Sequence, residues 1–213
     1  SLKDFSPVTR VATAPYVLVI NPSVQANSVK DLIALAKAKP GSINFASGGN
    51  GTGTHLSGEL FKLMAEINIV HISYRGMAPA LTDVMGGQVQ MLFVGLPPVL
   101  AQIKSGRLRP LAVTTQARSS LLPEIPTVNE GGLPGYEVAP WWGVLAQANT
   151  PRAVIAKLHA GIGEILKTIP FRKQLASHGA EPIGDTPAQF ESILKTQFDK
   201  WGKVVKDVGV SIN

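Results

Sequence analysis

The sequence predicts an α/β protein with a mostly parallel sheet and a helical C-terminal third. Three observations carry this. Between residues 43 and 114, short Val-, Ile- and Leu-rich runs alternate with amphipathic segments long enough for helices. A glycine-rich turn directly follows one such run and opens a helix. Beyond residue 150 three helical patterns follow, each opening at or near a proline.

The elements follow in order. Residues 8–20 (VTRVATAPYVLVI) read as an extended strand bent near Pro15. Ser28 is the expected N-cap of a helix from Val29 to Lys39, stopped by Pro40-Gly41. Residues 43–46 are a short strand, and a helix runs from Thr54 to Ala65. Residues 69–74 form the next strand, residues 76–86 a helix ending at Gly86-Gly87, and residues 89–94 a strand. A helix over 97–104 and a strand over 109–114 complete the rhythm. Helices then cover both faces of the sheet, with right-handed crossovers. Residues 119–135 hold three Pro and three Gly and read as loop. Residues 136–147 form a second long extended run, interrupted by Pro140. Helices are expected over 151–167, 170–178 and 187–207, the last with Phe190, Ile193, Leu194, Phe198 and Trp201 on one apolar face.

Two long strands flanking a compact α/β unit suggest a two-lobed hinge layout. Residues 1–20 are a crossing strand and remnant of one lobe, residues 21–135 the α/β lobe, and residues 136–213 the return strand and C-terminal helices. The tail helices have little sheet of their own to cover, so their apolar face is expected to be exposed or buried in a homodimer.

Composition excludes several classes. With 45% hydrophobic and 16% charged residues among 213, the chain is globular. The absence of Cys removes disulfides, thiolate metal sites and a thiol nucleophile. The net charge of +6 is scattered rather than gathered in a stripe, which argues against nucleic acid and favours a mild attraction for anions. No apolar stretch is long enough to span a bilayer, and the sequence shows no signal peptide.

The chemistry concentrates at three strand-to-helix turns. In the first, Ser47, Gly48, Gly49, Asn50, Gly51, Thr52, Gly53, Thr54 and His55 combine close-approach backbone, hydroxyls and a helix start, which suits a carboxylate or phosphate. A P-loop is excluded because no Lys-Ser/Thr follows, and the dinucleotide spacing fails at Thr54 and Leu56. In the second turn, Tyr74 offers a hydroxyl, Arg75 a cation, and Gly76 to Ala80 (with Ala78) a second N–H nest. The third, around Gly95, carries no polar side chain and would line a cleft. His55, His71, His159 and His178 share no metal-ligand spacing, and no nucleophile elbow occurs. No cofactor or metal is therefore predicted; a hydrolase is not excluded, but nothing in these residues builds one.

At this point the residues resemble a known family. Ala46 to Leu56 (ASGGNGTGTHL) and Tyr74 to Val89 (YRGMAPALTDVMGGQV), with the flanking strands, look like the Bug family, the extracytoplasmic receptors of tripartite tricarboxylate transporters. The resemblance implies a type II periplasmic-binding-protein (Venus-flytrap) fold, with the second lobe complete and the first partial. It implies a non-enzymatic periplasmic receptor for a small carboxylate: a di- or tricarboxylate, an acidic amino acid or an aromatic acid. Membrane permease subunits would be its partners. The ligand-facing loops of the second lobe map onto Ser47–Thr54 and Tyr74–Ala80. Family members carry a signal peptide and a first-lobe segment of roughly 80–100 residues ahead of this pattern, and a Pro-Phe-Pro-x-Gly-Gly loop in it that closes on the ligand. The chain is expected to start inside the pattern. Two other readings remain open from the residues: the effector-sensing domain of a LysR-type regulator, and an enzyme using the glycine turn for a phosphorylated substrate.

Overall fold

The computed structural model describes residues 2–209. In chain order it contains β1 (Phe5–Thr13), β2 (Tyr16–Ile20), α1 (Val29–Ala38), β3 (Asn44–Ser47), α2 (Gly53–Ala65), β4 (Val70–Ser73), α3 (Met77–Met85), β5 (Met91–Gly95), α4 (Leu100–Lys104), β6 (Arg109–Val113), β7 (Trp141–Gln147), α5 (Arg152–Lys167), α6 (Ile169–Ser177), β8 (Glu181–Pro182) and α7 (Pro187–Val208). Among the described residues no helix is long and apolar enough to cross a membrane.

The chain forms two compact units. The larger contains Pro15–Ala139 and holds a five-stranded sheet in the order β4-β3-β5-β2-β6. β3 runs parallel to β4 and β5, while β2 is antiparallel to β5 and β6. Four strands therefore share one direction and β2 alone opposes them. Its core packs Val17, Val19, Leu92, Val94 and Val113 of the sheet against Ala80 and Val84 of α3. Burying such side chains stabilises by about 2 kcal/mol each. Asn21 closes the far end of β2: its amide nitrogen donates to the carbonyls of Val84 at 2.8 Å and Met85 at 3.2 Å. Those are last-turn carbonyls of α3, and the Val84 carbonyl also accepts from Gly87 N–H at 3.2 Å.

Thr114 anchors both ends of this unit. Its N–H donates to the Tyr16 carbonyl at 3.0 Å, and its hydroxyl accepts from the Tyr16 N–H at 3.0 Å. Its own carbonyl accepts from Val138 N–H at 2.8 Å.

The smaller unit contains residues 2–14 and Pro140–Lys203. β1 pairs antiparallel with β7 and with the short β8, with irregularities between Pro7 and Thr9 and between Arg10 and Ala12. α5 packs on β1. Arg10 forms an ion pair with Asp185, whose carbonyl also accepts from the Thr9 hydroxyl at 2.8 Å.

Three expectations change in detail. The extended run 8–20 is two strands in two sheets, because Pro15 has no N–H to continue a ladder. Residues 136–140 are not strand: the Tyr136 side chain is fully buried, and pairing in the return strand starts only at Trp141. On α7, Phe190 has a partner within the chain. It is fully buried, edge-on to Trp141 with ring centroids 5.2 Å apart, whereas Phe198 is 63% exposed. The larger uncovered apolar face is on α5, at Val154, Leu158 and Ile165.

Candidate functional site

All three strand-to-helix turns lie at one edge of the five-stranded sheet, because β3, β4 and β5 point the same way. This is the edge where open α/β sheets bind ligands. Two of the turns are knitted together by backbone bonds. Tyr74 N–H donates to the Ser47 carbonyl at 3.1 Å, and Gly76 N–H to the Gly48 carbonyl at 3.1 Å.

The glycine turn needs its glycines. Gly49 has φ 138° and Gly51 φ 73°, conformations that side chains resist. A Cβ on Gly48 would lie 2.9 Å from Met77 Sδ. Thr52 caps α2, its hydroxyl accepting from His55 N–H at 3.4 Å and donating to the Gly49 carbonyl at 2.7 Å. Thr54 Oγ1 lies 3.0 Å from Thr52 Oγ1 and accepts from Gly48 N–H at 3.2 Å. The hydroxyls of Ser47, Thr52 and Thr54 thus shape the turn.

What stays open is backbone. Among the described residues, the N–H groups of Asn50, Gly53 and Thr54 have no partner within the turn or α2. At the start of α3, Gly76 (φ 109°) makes no side-chain cap, and the N–H groups of Met77 and Ala78 are likewise open. Two helix N-termini with unpaired donors at one edge are suited to an anion.

The side chains divide sharply. Tyr74 is engaged: its hydroxyl donates to Asp83 Oδ2 at 2.7 Å, and burial together with that carboxylate pushes its pKa up to about 12. Arg75 is exposed and has no ion pair among the described residues. Asn50 and Ala78 are also exposed, and Gly95 faces open space. The side chain of Ala80 lies in the core with Val84 and Val94, on the inner face of α3, and not at the turn.

Beneath the turn lies a cluster that linear spacing did not reveal. The rings of His55 and His71 stack with centroids 3.8 Å apart and an interplanar angle of 13°. Ser47 Oγ is 2.7 Å from His71 Nε2, and His55 Nδ1 accepts from Gly51 N–H at 3.0 Å. His55 Nε2 lies 3.6 Å from Glu59 Oε1, whose other oxygen is 3.8 Å from Lys62 Nζ. Burial and the neighbouring His55 lower the His71 pKa to about 4. Burial would raise Glu59, but the His55 hydrogen bond, Lys62 and the two imidazoles together hold it below the usual carboxylate range. Ser47 is fully buried, so this Ser–His contact presents no nucleophile to a substrate. No group of three or more His, Asp or Glu among the described residues is arranged to hold a metal.

Tyr16 is the site residue that sequence reasoning missed. It starts β2 at the same edge, opposite Gly95. Its hydroxyl sits against the first residue of α2, 2.6 Å from where a Cβ on Gly53 would stand. Burial raises its pKa, so the phenol remains a proton donor at neutral pH. The only signal in the sequence was its place just after Pro15, at the start of a strand.

Comparison with known proteins gives a consistent picture. A family model described as tripartite tricarboxylate transporter family receptor matches residues 1–210. Protein BugT of Bordetella pertussis is 36% identical over 211 residues, covering 99% of this chain and 65% of BugT. A UPF0065 protein from the tcbD-tcbE intergenic region of Pseudomonas sp. (strain P51) is 34% identical, covering 99% of this chain and 63% of the relative. The chain thus spans less than two thirds of the length of these relatives. Among solved structures, R. palustris Rpa4515 with adipate is 35% identical with a TM-score of 0.84, over 98% of this chain and 70% of that one. The periplasmic binding protein BugD is 30% identical with a TM-score of 0.80, over 97% and 70%.

Proposed function

Since this chain belongs to the tripartite tricarboxylate transporter receptor family, we propose that it is a ligand-holding part of an extracytoplasmic, periplasmic receptor. The receptor captures a small carboxylate and delivers it to membrane permease subunits. The observation that carries this reading is the pair of open helix N-termini at one sheet edge, Gly53–Thr54 and Met77–Ala78. Neutral backbone donors hold a carboxylate firmly without a fixed counter-charge, and so allow it to be released again.

Roles follow from reach and chemistry. The α2 N-terminus takes one carboxylate, with the Tyr16 hydroxyl as an added donor. Arg75 suits a second carboxylate on the same ligand, which favours a dicarboxylate. A relative's structure holds adipate, a dicarboxylic acid. Tyr74 serves indirectly, its hydroxyl committed to Asp83. The reaction class is capture and release, not turnover: the buried Ser47 cannot attack, and the exposed residues include no nucleophile–base pair at the turns.

Calorimetry of the mature protein with adipate and with hexanoate, its monoacid counterpart, tests this. Adipate binds, and hexanoate binds at least about tenfold more weakly, since one charge-assisted hydrogen-bond set is lost. Arg75→Ala narrows that gap. Equal affinity for the two acids would remove the dicarboxylate assignment, and no heat with any small carboxylate would remove the receptor reading.

A further inference from the structure

The sequence has three tyrosines, and two of their hydroxyls are committed: Tyr74 donates to Asp83 Oδ2 at 2.7 Å and Tyr136 to the Ser57 carbonyl at 2.9 Å. The Tyr16 hydroxyl makes no hydrogen bond among the described residues, although its ring is half-buried. Packed tyrosines ordinarily pair that group. The oxygen is not sealed from solvent either, since the buried side-chain oxygen left without a partner among the described residues is Gln102 Oε1. Tyr16 is held from behind: Thr114 bonds its N–H and its carbonyl, and Gly95 pairs with it across β2 and β5. In front stands Gly53, the first residue of α2. A Cβ there would lie 2.6 Å from the hydroxyl oxygen and 3.4 Å from two carbons of the ring. Gly53 is not among the residues with positive φ, unlike Gly49 and Gly51, so its backbone conformation does not call for glycine. What calls for it is space, and the phenol fills that space.

We propose that Tyr16 and Gly53 act as one unit: Gly53 is a positioning residue whose lack of a side chain lets the phenol reach the start of α2, where the Tyr16 hydroxyl and the open Gly53 N–H take the same ligand carboxylate. The shared carboxylate rests on the receptor reading; the steric dependence of Tyr16 on Gly53 does not. The reach is sufficient. The hydroxyl oxygen is 2.6 Å from the Cβ position, and Cβ and the Gly53 nitrogen would be bonded to one Cα, so the phenol oxygen and that nitrogen are at most about 6 Å apart. Two hydrogen bonds of about 3 Å each span that gap at one carboxylate. The phenol is a neutral donor on a paired strand, whereas Arg75 is a charge on an exposed side chain. Arg75 attracts an acid, and the Tyr16–Gly53 unit fixes where its carboxylate sits. Because the Tyr16 backbone is held by Thr114 and paired with Gly95, a methyl at position 53 turns the phenol aside rather than moving the strand.

A double-mutant cycle on the mature protein tests this with two readouts, the adipate Kd and the melting temperature without ligand. Tyr16→Phe keeps the ring and removes the donor, and is expected to weaken adipate about tenfold. Gly53→Ala weakens it by at least as much. The double variant binds no more weakly than Gly53→Ala alone, because both changes remove the same bond. Without ligand, Gly53→Ala lowers the melting temperature in wild type but not in Tyr16→Phe, where the methyl meets only ring carbons at 3.4 Å. A glycine needed for the helix alone would shift both backgrounds alike. If wild type binds adipate but Tyr16→Phe binds it equally well, or if the two losses multiply in the double variant, the proposal is overturned while the receptor reading stands. Equal melting shifts in the two backgrounds overturn the role of Gly53. If the melting temperatures couple as expected but wild type binds neither adipate nor any other small carboxylate, the steric unit stands and the receptor reading falls.

Discussion

The hydroxyl of Tyr136 donates to the carbonyl oxygen of Ser57 at 2.9 Å, in a site with no solvent access. The ring lies between Phe61 of α2 and Phe93 of β5, with centroids 6.1 Å and 6.3 Å away. One buried side chain thus fastens the loop after β6 to the helix whose N-terminus faces the ligand edge. It also explains why the extended run beginning at residue 136 starts as core rather than as strand.

Tyr136→Phe should cost about 1 kcal/mol, the worth of one neutral hydrogen bond whose acceptor keeps its helical partner. Tyr136→Ala should cost about 3–5 kcal/mol through the cavity it leaves. Urea denaturation curves of both variants give the comparison. Equal losses would mean that the hydroxyl, not the ring, carries the attachment.

Gly58 and Gly163 are both helical, and they predict opposite outcomes. A Cβ at Gly58 would stand 2.2 Å from the ring of Phe45, which is fully buried and has nowhere to move. Gly58→Ala should destabilise by about 1–3 kcal/mol or more. At Gly163 nothing lies within 4 Å, so Gly163→Ala should stabilise by up to about 1 kcal/mol. Melting temperatures of the two variants should move in opposite directions.

His71 makes stability fall in mild acid. Its folded pKa of about 4 lies below its ordinary 6.5, so the unfolded chain binds the proton first as pH falls. The stability is full above about 6.5 and is lost progressively down to about 4. For a half-buried ring the loss is on the order of 1–2 kcal/mol after solvent screening. Glu59, held below its ordinary 4.5, adds a further loss only in stronger acid. Denaturant midpoints measured across this range in wild type and His71→Gln should agree at neutral pH and diverge at the acid end, where only the wild type loses stability, provided the glutamine keeps the Ser47 bond.

Asp83→Asn removes one of the two influences that raise the Tyr74 pKa to about 12, leaving burial alone. The tyrosinate transition assigned to Tyr74, by difference from Tyr74→Phe, should move to lower pH. An unmoved transition would show that the contact between these side chains does not persist in solution.

The sequence exposed the glycine turn because its glycines, hydroxyls and helix start are contiguous, so local chemistry alone identifies it. Helices α1, α2 and α7 were legible for the same reason: Ser28 caps the first through Asp31 N–H, and apolar spacing marks all three. The reversed direction of β2 was not legible, since a strand's direction depends on pairing with β5 and β6, more than 70 residues along the chain. The His55–His71 stack was hidden for a related reason. Only the register Phe45↔His71 brings that histidine beside Ser47 and under α2. His55 and Glu59, four apart on one helix face, offered the single local hint. Tyr74 illustrates the reverse case: its place at a turn suggested a ligand donor, while its hydroxyl already donates a hydrogen bond to Asp83, nine residues on.

Thr114 joins the two ends of the stretch from Tyr16 to Val138. The chain enters at Tyr16 and departs at Val138, and both are bonded to that one residue. The stretch between them therefore has adjoining ends, and its N- and C-terminal boundaries are held by one residue.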